Sequence, residues 1–302
     1  MFAAPKPVLN CGGRELLLDQ PRIMGVINVT PDSFSDGGQF ADAQAAIDYG
    51  LQLLAEGADL LDVGGESTRP GAEPVPLEVE LARVLPVIEG LARRCSVPIS
   101  VDSSRPEVMR AAVAAGAGLI NDVRALRLPG ALDAAAESGA AIVLMHMQGE
   151  PGSMQQAPAY DEVVAEVQRF LTDRILACRF AGIDQKRIVI DPGFGFGKTL
   201  EHNLELLGRL SQFQVLACPL LAGLSRKRMI GALTGREAPQ QRVAGSVAAA
   251  LIAVQQGAQI VRVHDVAATR DALAVWNAVR PRIQAPAKAS SKPAAASLFD
   301  DD

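Results

Sequence analysis

Short apolar runs, each ending in polar side chains, recur along the chain and alternate with longer stretches of helical periodicity. Ile23-Met24-Gly25-Val26-Ile27 ends in Asn28, Leu60-Leu61-Asp62-Val63 in Gly64-Gly65-Glu66, and Ile99-Ser100-Val101 in Asp102. Leu119-Ile120 leads to Asn121-Asp122, Ile142-Val143-Leu144-Met145 to His146, and Ile188-Val189-Ile190 to Asp191. The last two are Leu220-Leu221-Ala222-Gly223-Leu224, running into Ser225-Arg226-Lys227, and Ile260-Val261, running into Arg262-Val263-His264-Asp265. Between them the pattern predicts helices over 41–56, 76–93, 106–115, 132–138, 161–180, 201–210, 240–256 and 266–278. About eight strands alternating with helices is the number that closes a barrel, so the expected fold class is α/β, a single TIM (β/α)8 barrel.

A phrase recurs at the helix-to-strand junctions: Glu56-Gly57-Ala58-Asp59, Ala115-Gly116-Ala117-Gly118, Ser138-Gly139-Ala140-Ala141 and Gln256-Gly257-Ala258-Gln259. Glycine supplies the left-handed residue that ends a helix, and the phrase reads as a weak internal repeat. Residues 1–281 are assigned to the barrel. Residues 282–302, rich in Pro, Ala, Ser and Lys, lack the large apolar side chains a core needs and are expected to be a disordered tail.

A formal charge of −5 argues against a nucleic-acid partner. Cys11, Cys95, Cys178 and Cys218 are scattered with no Cys-x-x-Cys spacing, which favours a reducing compartment and argues against metal held by thiolates. No apolar run approaches a membrane span and no basic-then-apolar leader opens the chain, so a cytoplasmic protein with no membrane partner is expected.

Parallel α/β folds place their chemistry at the C-terminal ends of strands. There Asp102, Asn121, Asp191 and Lys227 offer two carboxylates, an amide and an ammonium, a set that suits the donor and acceptor edge of a pterin or purine, or alternatively a structural ion-pair network. Asp191 opens Asp191-Pro192-Gly193-Phe194-Gly195-Phe196-Gly197-Lys198, whose glycines permit close backbone approach, whose phenylalanines offer flat apolar faces, and whose lysine adds a cation. A second cluster, Arg69, Arg262 and His264 with Asn28 nearby, has the character of a phosphate site. Arg262 and His264 are two residues apart and share a strand face. The loops Thr30 to Gly38 and Glu66 to Gly71 are rich in turn formers and hydroxyls and read as movable lids.

In this order, the blocks from Gly25 to Gly38, from Asp62 to Gly71, Asn121-Asp122-Val123, Met145-His146-Met147, Asp191 to Lys198, Ser225-Arg226-Lys227 and Arg262-Val263-His264-Asp265 resemble the dihydropteroate synthases from about Ile23 to Asp265. The resemblance implies attack of p-aminobenzoate on 6-hydroxymethyl-7,8-dihydropterin pyrophosphate, releasing pyrophosphate with help from Mg²⁺. It implies catalytic roles for Asp102, Lys227, Arg262 and His264, and pterin contacts from Asp102, Asn121, Met145, Asp191, Gly195, Phe196 and Lys227. Asn28, Arg69, Arg262 and His264 would hold pyrophosphate, Asn28 also serving the metal. The aminobenzoate and lid positions would be Phe34, Asp36, Thr68, Arg69, Pro70, Phe196, Ser225 and Arg228. A homodimer is also implied.

The chain departs from that pattern in two places. Asp102 is followed by Ser103 where many relatives have Thr, with Arg105 before Pro106 where they have Lys. Arg228 stands where some relatives carry a serine that helps bind the aminobenzoate carboxylate. Rival readings are a pterin barrel that presents a methylated folate to a corrinoid and a non-catalytic pterin-binding paralogue. Neither needs the Asp32 to Gly38 loop together with Arg262 and His264.

Overall fold

The computed structural model describes residues 7–30, 38–67, 74–150 and 152–283. The eight expected runs are all strands. We number them after an N-terminal hairpin, β1 (Val8–Cys11) and β2 (Arg14–Leu17): β3 (Arg22–Asn28), β4 (Leu60–Gly64), β5 (Ile99–Asp102), β6 (Leu119–Asp122), β7 (Ala141–Met145), β8 (Ile188–Asp191), β9 (Leu221–Ala222) and β10 (Ile260–Val263). Parallel pairing runs β8-β7-β6-β5-β4-β3-β10-β9. The circle closes where Ile190 bridges Leu220 and its amide donates to Pro219 O at 2.9 Å.

Side-chain alternation sorts each strand into two environments. On β7, Ile142 and Leu144 face outward into the main core beneath the helices, whereas Ala141 and Val143 face inward. The inward set at the base of the barrel comprises Met24, Leu60, Leu119, Ala141, Val143, Val189, Leu221 and Ile260, and the hairpin closes it with Leu9, Cys11 and Leu16. The hairpin was not expected, because four-residue strands leave little periodicity to read. Its signal is Gly12-Gly13, both with positive φ (60° and 91°), the geometry that two-residue hairpin turns demand. A Cβ on Gly118 would lie 2.1 Å from Cys11 O, so this glycine is where β6 admits the plug.

The helices are α1 (Gly38–Ala55), α2 (Leu77–Ala92), α3 (Pro106–Ala114), α4 (Ala131–Ser138), α5 (Val163–Phe180), α6 (Leu200–Gly208), α7 (Arg228–Thr234), α8 (Val243–Gln255) and α9 (Val266–Ile283). Helix α7 was not predicted from periodicity, being too short for a period to show. Helix α9 runs to Ile283, two residues past the boundary expected at 281, and the expected tail from 284 onward lies outside the described residues.

The repeated Gly-Ala phrase has a structural cause at three of its four sites. Gly57, Gly116 and Gly257 donate to Leu54, Val113 and Val254, while Ala58, Ala117 and Ala258 donate to Leu53, Ala112 and Ala253. These paired bonds are a Schellman closure, which uses the last helical carbonyls and turns the chain into the next strand. At the fourth site, Ser138 Oγ accepts from Ala140 N at 3.2 Å instead.

Gly118→Ala is expected to lower stability by about 1–3 kcal/mol through overpacking against the plug. Gly208→Ala, with open space around it, is expected to stay within about 1 kcal/mol of the parent. Thermal denaturation of the two variants side by side checks the contrast.

Candidate active site

At the upper end of the barrel the inward positions turn from apolar to charged. One step above Leu60, Asp62 is fully buried. Arg262, one step above Ile260, reaches across to donate from Nε to Asp62 Oδ2 at 2.6 Å and from a terminal nitrogen to Asp102 Oδ2 at 2.8 Å. Asn121 Nδ2 donates to the same Asp62 oxygen at 3.1 Å. The two clusters separated in the sequence are therefore joined here: Arg262 links the anion side to Asp102 and Asn121 on the heterocycle side. Asp62 lies in one of the matching blocks, with no site role expected for it. Its signal was its parity, since it alternates inward with Leu60 and Gly64 on β4.

Burial raises the Asp102 carboxyl to about 7, an effect that Arg262 opposes and Asp62 reinforces. Across the mouth, burial raises Asp191 as well, with Lys227 opposing it. Asp191 Oδ1 accepts from Gly193 N at 2.8 Å. Burial brings the Lys227 ammonium down to about 8 despite the neighbouring Asp191 carboxylate. Lys227 Nζ donates to Phe194 O and lies 4.5 Å from the centre of the Phe196 ring. Met145, opposite Asp191 in the β7–β8 register, packs with Val123, Met147, Met154 and Phe196 as an apolar wall. A Cβ on Gly195 would sit 3.1 Å from Lys227 Cδ, so this glycine leaves the lysine stem room. The result is a flat apolar wall beside two carboxylates, an amide and an ammonium.

On the anion side, His264 follows β10 and its Nδ1 lies 3.0 Å from Ser225 Oγ, which also accepts from the His264 amide at 3.2 Å. Ser225, expected near the aminobenzoate, thus sets the His264 ring. Asn28 ends β3 half-buried opposite Gly64, where a Cβ would come within 3.4 Å of Asp102 Cβ. Arg228 is exposed at the first residue of α7. Two residues before it, Arg226 holds a positive φ of 58° and forks onto Asp265 at 3.0 and 2.5 Å, fixing the β9–α7 turn to the end of β10. The expected positions Phe34, Asp36, Thr68, Arg69 and Pro70 lie outside the described residues.

The cation expected from Lys198 is placed elsewhere. Its side chain is turned back into the protein, where Nζ contacts Gly193 O at 2.9 Å, Phe196 O at 3.0 Å and His146 Nδ1 at 2.9 Å. It braces the loop from below.

Among the described residues no group of three or more His, Cys, Asp and Glu forms a metal cage. Asn28 would offer Mg²⁺ a single amide oxygen, leaving the rest of its shell to waters and substrate phosphates, whereas such sites usually add one or two carboxylates.

The family model for "Pterin binding enzyme" matches residues 24–264. The dihydropteroate synthase of Escherichia coli (strain K12) is 52% identical over 266 residues, covering 88% of this chain and 94% of its own length. The chain belongs to the dihydropteroate synthase family of pterin-binding enzymes. The solved dihydropteroate synthase of Xanthomonas albilineans with 4-aminobenzoic acid superposes with a TM-score of 0.88 at 62% identity, covering 93% of this chain and 100% of its own. The same enzyme in complex with 7,8-dihydropteroate gives a TM-score of 0.84 at 60% identity, with 93% and 100% coverage. The Yersinia pestis family member with a sulfonamide drug gives 0.87 at 50% identity, with 91% and 99% coverage.

Arg262→Met leaves Asp62 and Asp102 facing each other without their shared cation. Because the guanidinium is 22% exposed, a loss near the low end for a broken buried pair is expected, about 3 kcal/mol by urea denaturation. Adding Asp62→Asn should recover part of it.

Proposed function

We propose that this protein joins 6-hydroxymethyl-7,8-dihydropterin pyrophosphate to p-aminobenzoate, yielding 7,8-dihydropteroate and pyrophosphate. The observation that carries the reading is the ring of Asp102, Asn121, Asp191 and Lys227 beside a flat apolar wall, joined through Arg262 to an anion side that includes His264. Family membership and the relatives' named activity and ligands support it.

The carboxylates face the N–H-rich edge of the pterin, and Lys227 faces its carbonyl or ring nitrogen. When the C–O bond to pyrophosphate breaks, the electron pair leaves with the pyrophosphate and positive charge spreads from the methylene into the ring. Fixed negative charge at Asp102 and Asp191 favours that cation, while Arg262 and His264 oppose the charge gathering on the leaving group. The aminobenzoate nitrogen then forms the new C–N bond and loses a proton. No enzyme nucleophile is required. Asn28 would help to hold Mg²⁺, which would supply further charge neutralisation to the leaving group. Met145 and Phe196 keep water from the methylene. Arg69 with Phe34, Asp36, Thr68 and Pro70 is assigned to the anion and aminobenzoate side on the resemblance of their loops, with Arg228 at the mouth.

We further assign the protein to a cytoplasmic homodimer. Four unpaired cysteines support a reducing compartment, and among the described residues no helix is long and apolar enough to cross a membrane. Exposed Ile252 on α8 with Val275, Val279 and Ile283 on α9 supports pairing through the outer helices.

A pyrophosphate-release assay is expected to show turnover only with both substrates; release without aminobenzoate dependence would defeat the assignment. In the free enzyme, activity at low substrate should rise as Asp102 ionises through about pH 7 and fall as Lys227 loses its proton above about pH 8. The kcat/KM profile is therefore expected to be a narrow bell whose limbs belong to interacting groups. Asp102→Asn should flatten the acidic limb of whatever activity remains.

A further inference from the structure

All five carbonyls of the Gly193–Gly197 loop are tethered, and so is the Gly195 amide. Asn203 Oδ1 accepts from Gly195 N at 2.7 Å, Gln155 Nε2 donates to Gly195 O at 2.6 Å, and Tyr160 Oη donates to Gly197 O at 2.7 Å. Lys227 holds Phe194 O. The two remaining carbonyls, Gly193 O and Phe196 O, converge on one nitrogen, Lys198 Nζ, in a side chain only 3% exposed.

The third neighbour of that nitrogen, His146 Nδ1, fixes its chemistry. Carbonyls only accept, so two N–H bonds of Lys198 are committed to the loop. His146 is itself buried, edge-on to Phe170 with ring centroids 4.9 Å apart, and its imidazole is pushed down to about 2 by burial and by the adjacent Lys198. A neutral imidazole with its proton on Nε2 presents Nδ1 as an acceptor, and an ammonium has the third hydrogen to give it. Burial draws the Lys198 ammonium well below its ordinary value, and the Asp191 carboxylate that starts the same loop opposes that shift, while the two carbonyls and the imidazole acceptor give the charged form all three of its partners. The loop is also wedged sterically, since a Cβ on Gly193 would lie 1.9 Å from His146 O.

We propose that Lys198 is the positioning residue of the pterin site: a buried ammonium, seated on neutral His146, that fixes the Gly193–Gly197 loop and through it Lys227, Phe196 and the charge of Asp191, without touching the ligand. The inference rests on reading the mouth as a pterin site. Lys198 stabilises no reacting atom, and its effect is expected on the heterocycle side, because among the described residues its hydrogen-bond partners are Gly193, Phe196 and His146, all on that side.

Calorimetry with 6-hydroxymethylpterin, and separately with inorganic pyrophosphate and Mg²⁺, tests the proposal on wild type and Lys198→Met. Pterin binding is expected to weaken at least tenfold, with pyrophosphate affinity kept within threefold. A pterin loss under threefold, or equal losses of both ligands, would overturn it. The wild type supplies a test that needs no variant: nitrogen-15 spectra of its three histidines should show His146 with Nδ1 unprotonated and the proton on Nε2. A protonated Nδ1 would refute the seated ammonium. Failure of the wild type to bind 6-hydroxymethylpterin would strike instead at the reading of the site.

Discussion

One cation shared by two inward carboxylates sets the terms for the upper barrel. Arg262 lies between Asp62 and Asp102, and Asn121 leans on the same Asp62 oxygen, so four strands contribute to a single ladder of charge-assisted bonds. Such groups are tolerated inside a protein only when they satisfy one another. The ladder therefore does two things with the same atoms: it makes a charged interior bearable in the absence of ligand, and it holds donors and acceptors aimed at the mouth before any ligand arrives. Preorganisation of this kind is what makes fixed charges effective on a developing cation.

The arrangement also explains why Asp102 and Lys227 titrate near neutrality. Neither has an isolated strong partner. Asp102 shares Arg262 with Asp62, and Lys227 divides its attention between Asp191, a backbone carbonyl and the face of Phe196. Burial is only partly compensated in each case, which leaves both groups close to exchanging a proton. A pocket meant to take up a ligand with its own N–H groups and carbonyl benefits from such incomplete pairing, because the ligand then supplies the missing partners.

Much of this was legible along the chain, for identifiable reasons. The eight barrel strands are each a short apolar run with a polar end, and that polar end is the candidate site, so fold and candidate residues are legible from one feature. Asp102, Asn121, Asp191, Lys227 and Arg262 were found because they sit where the apolar runs stop. Asp62 was not, because it lies inside its run, and only strand parity separates an inward carboxylate from an outward one. The hairpin and α7 were missed because four and seven residues carry too little periodicity to register. Lys198 misled for a different reason. Its neighbours in sequence are pocket residues, but where its nitrogen goes depends on which way two loop carbonyls point, and no residue pattern encodes that.

The hairpin at the base has a bearing on traffic. With Leu9, Cys11 and Leu16 pressed onto the lowest inward layer, the lower end of the barrel is filled, and the candidate site lies at the opposite end. Whatever lies deepest must arrive first and depart last. Asp102, Asn121 and Asp191 stand on the strands themselves, whereas Arg228 is out on the rim, so under the proposed function the bicyclic portion of the substrate would occupy the floor and anything joined to it would be stacked above. Under the proposed function a finished product, being both pieces in one molecule, would have to leave by the same upper end. The geometry thus turns a simple closure of the lower end into a last-in, first-out rule for the molecules that pass through.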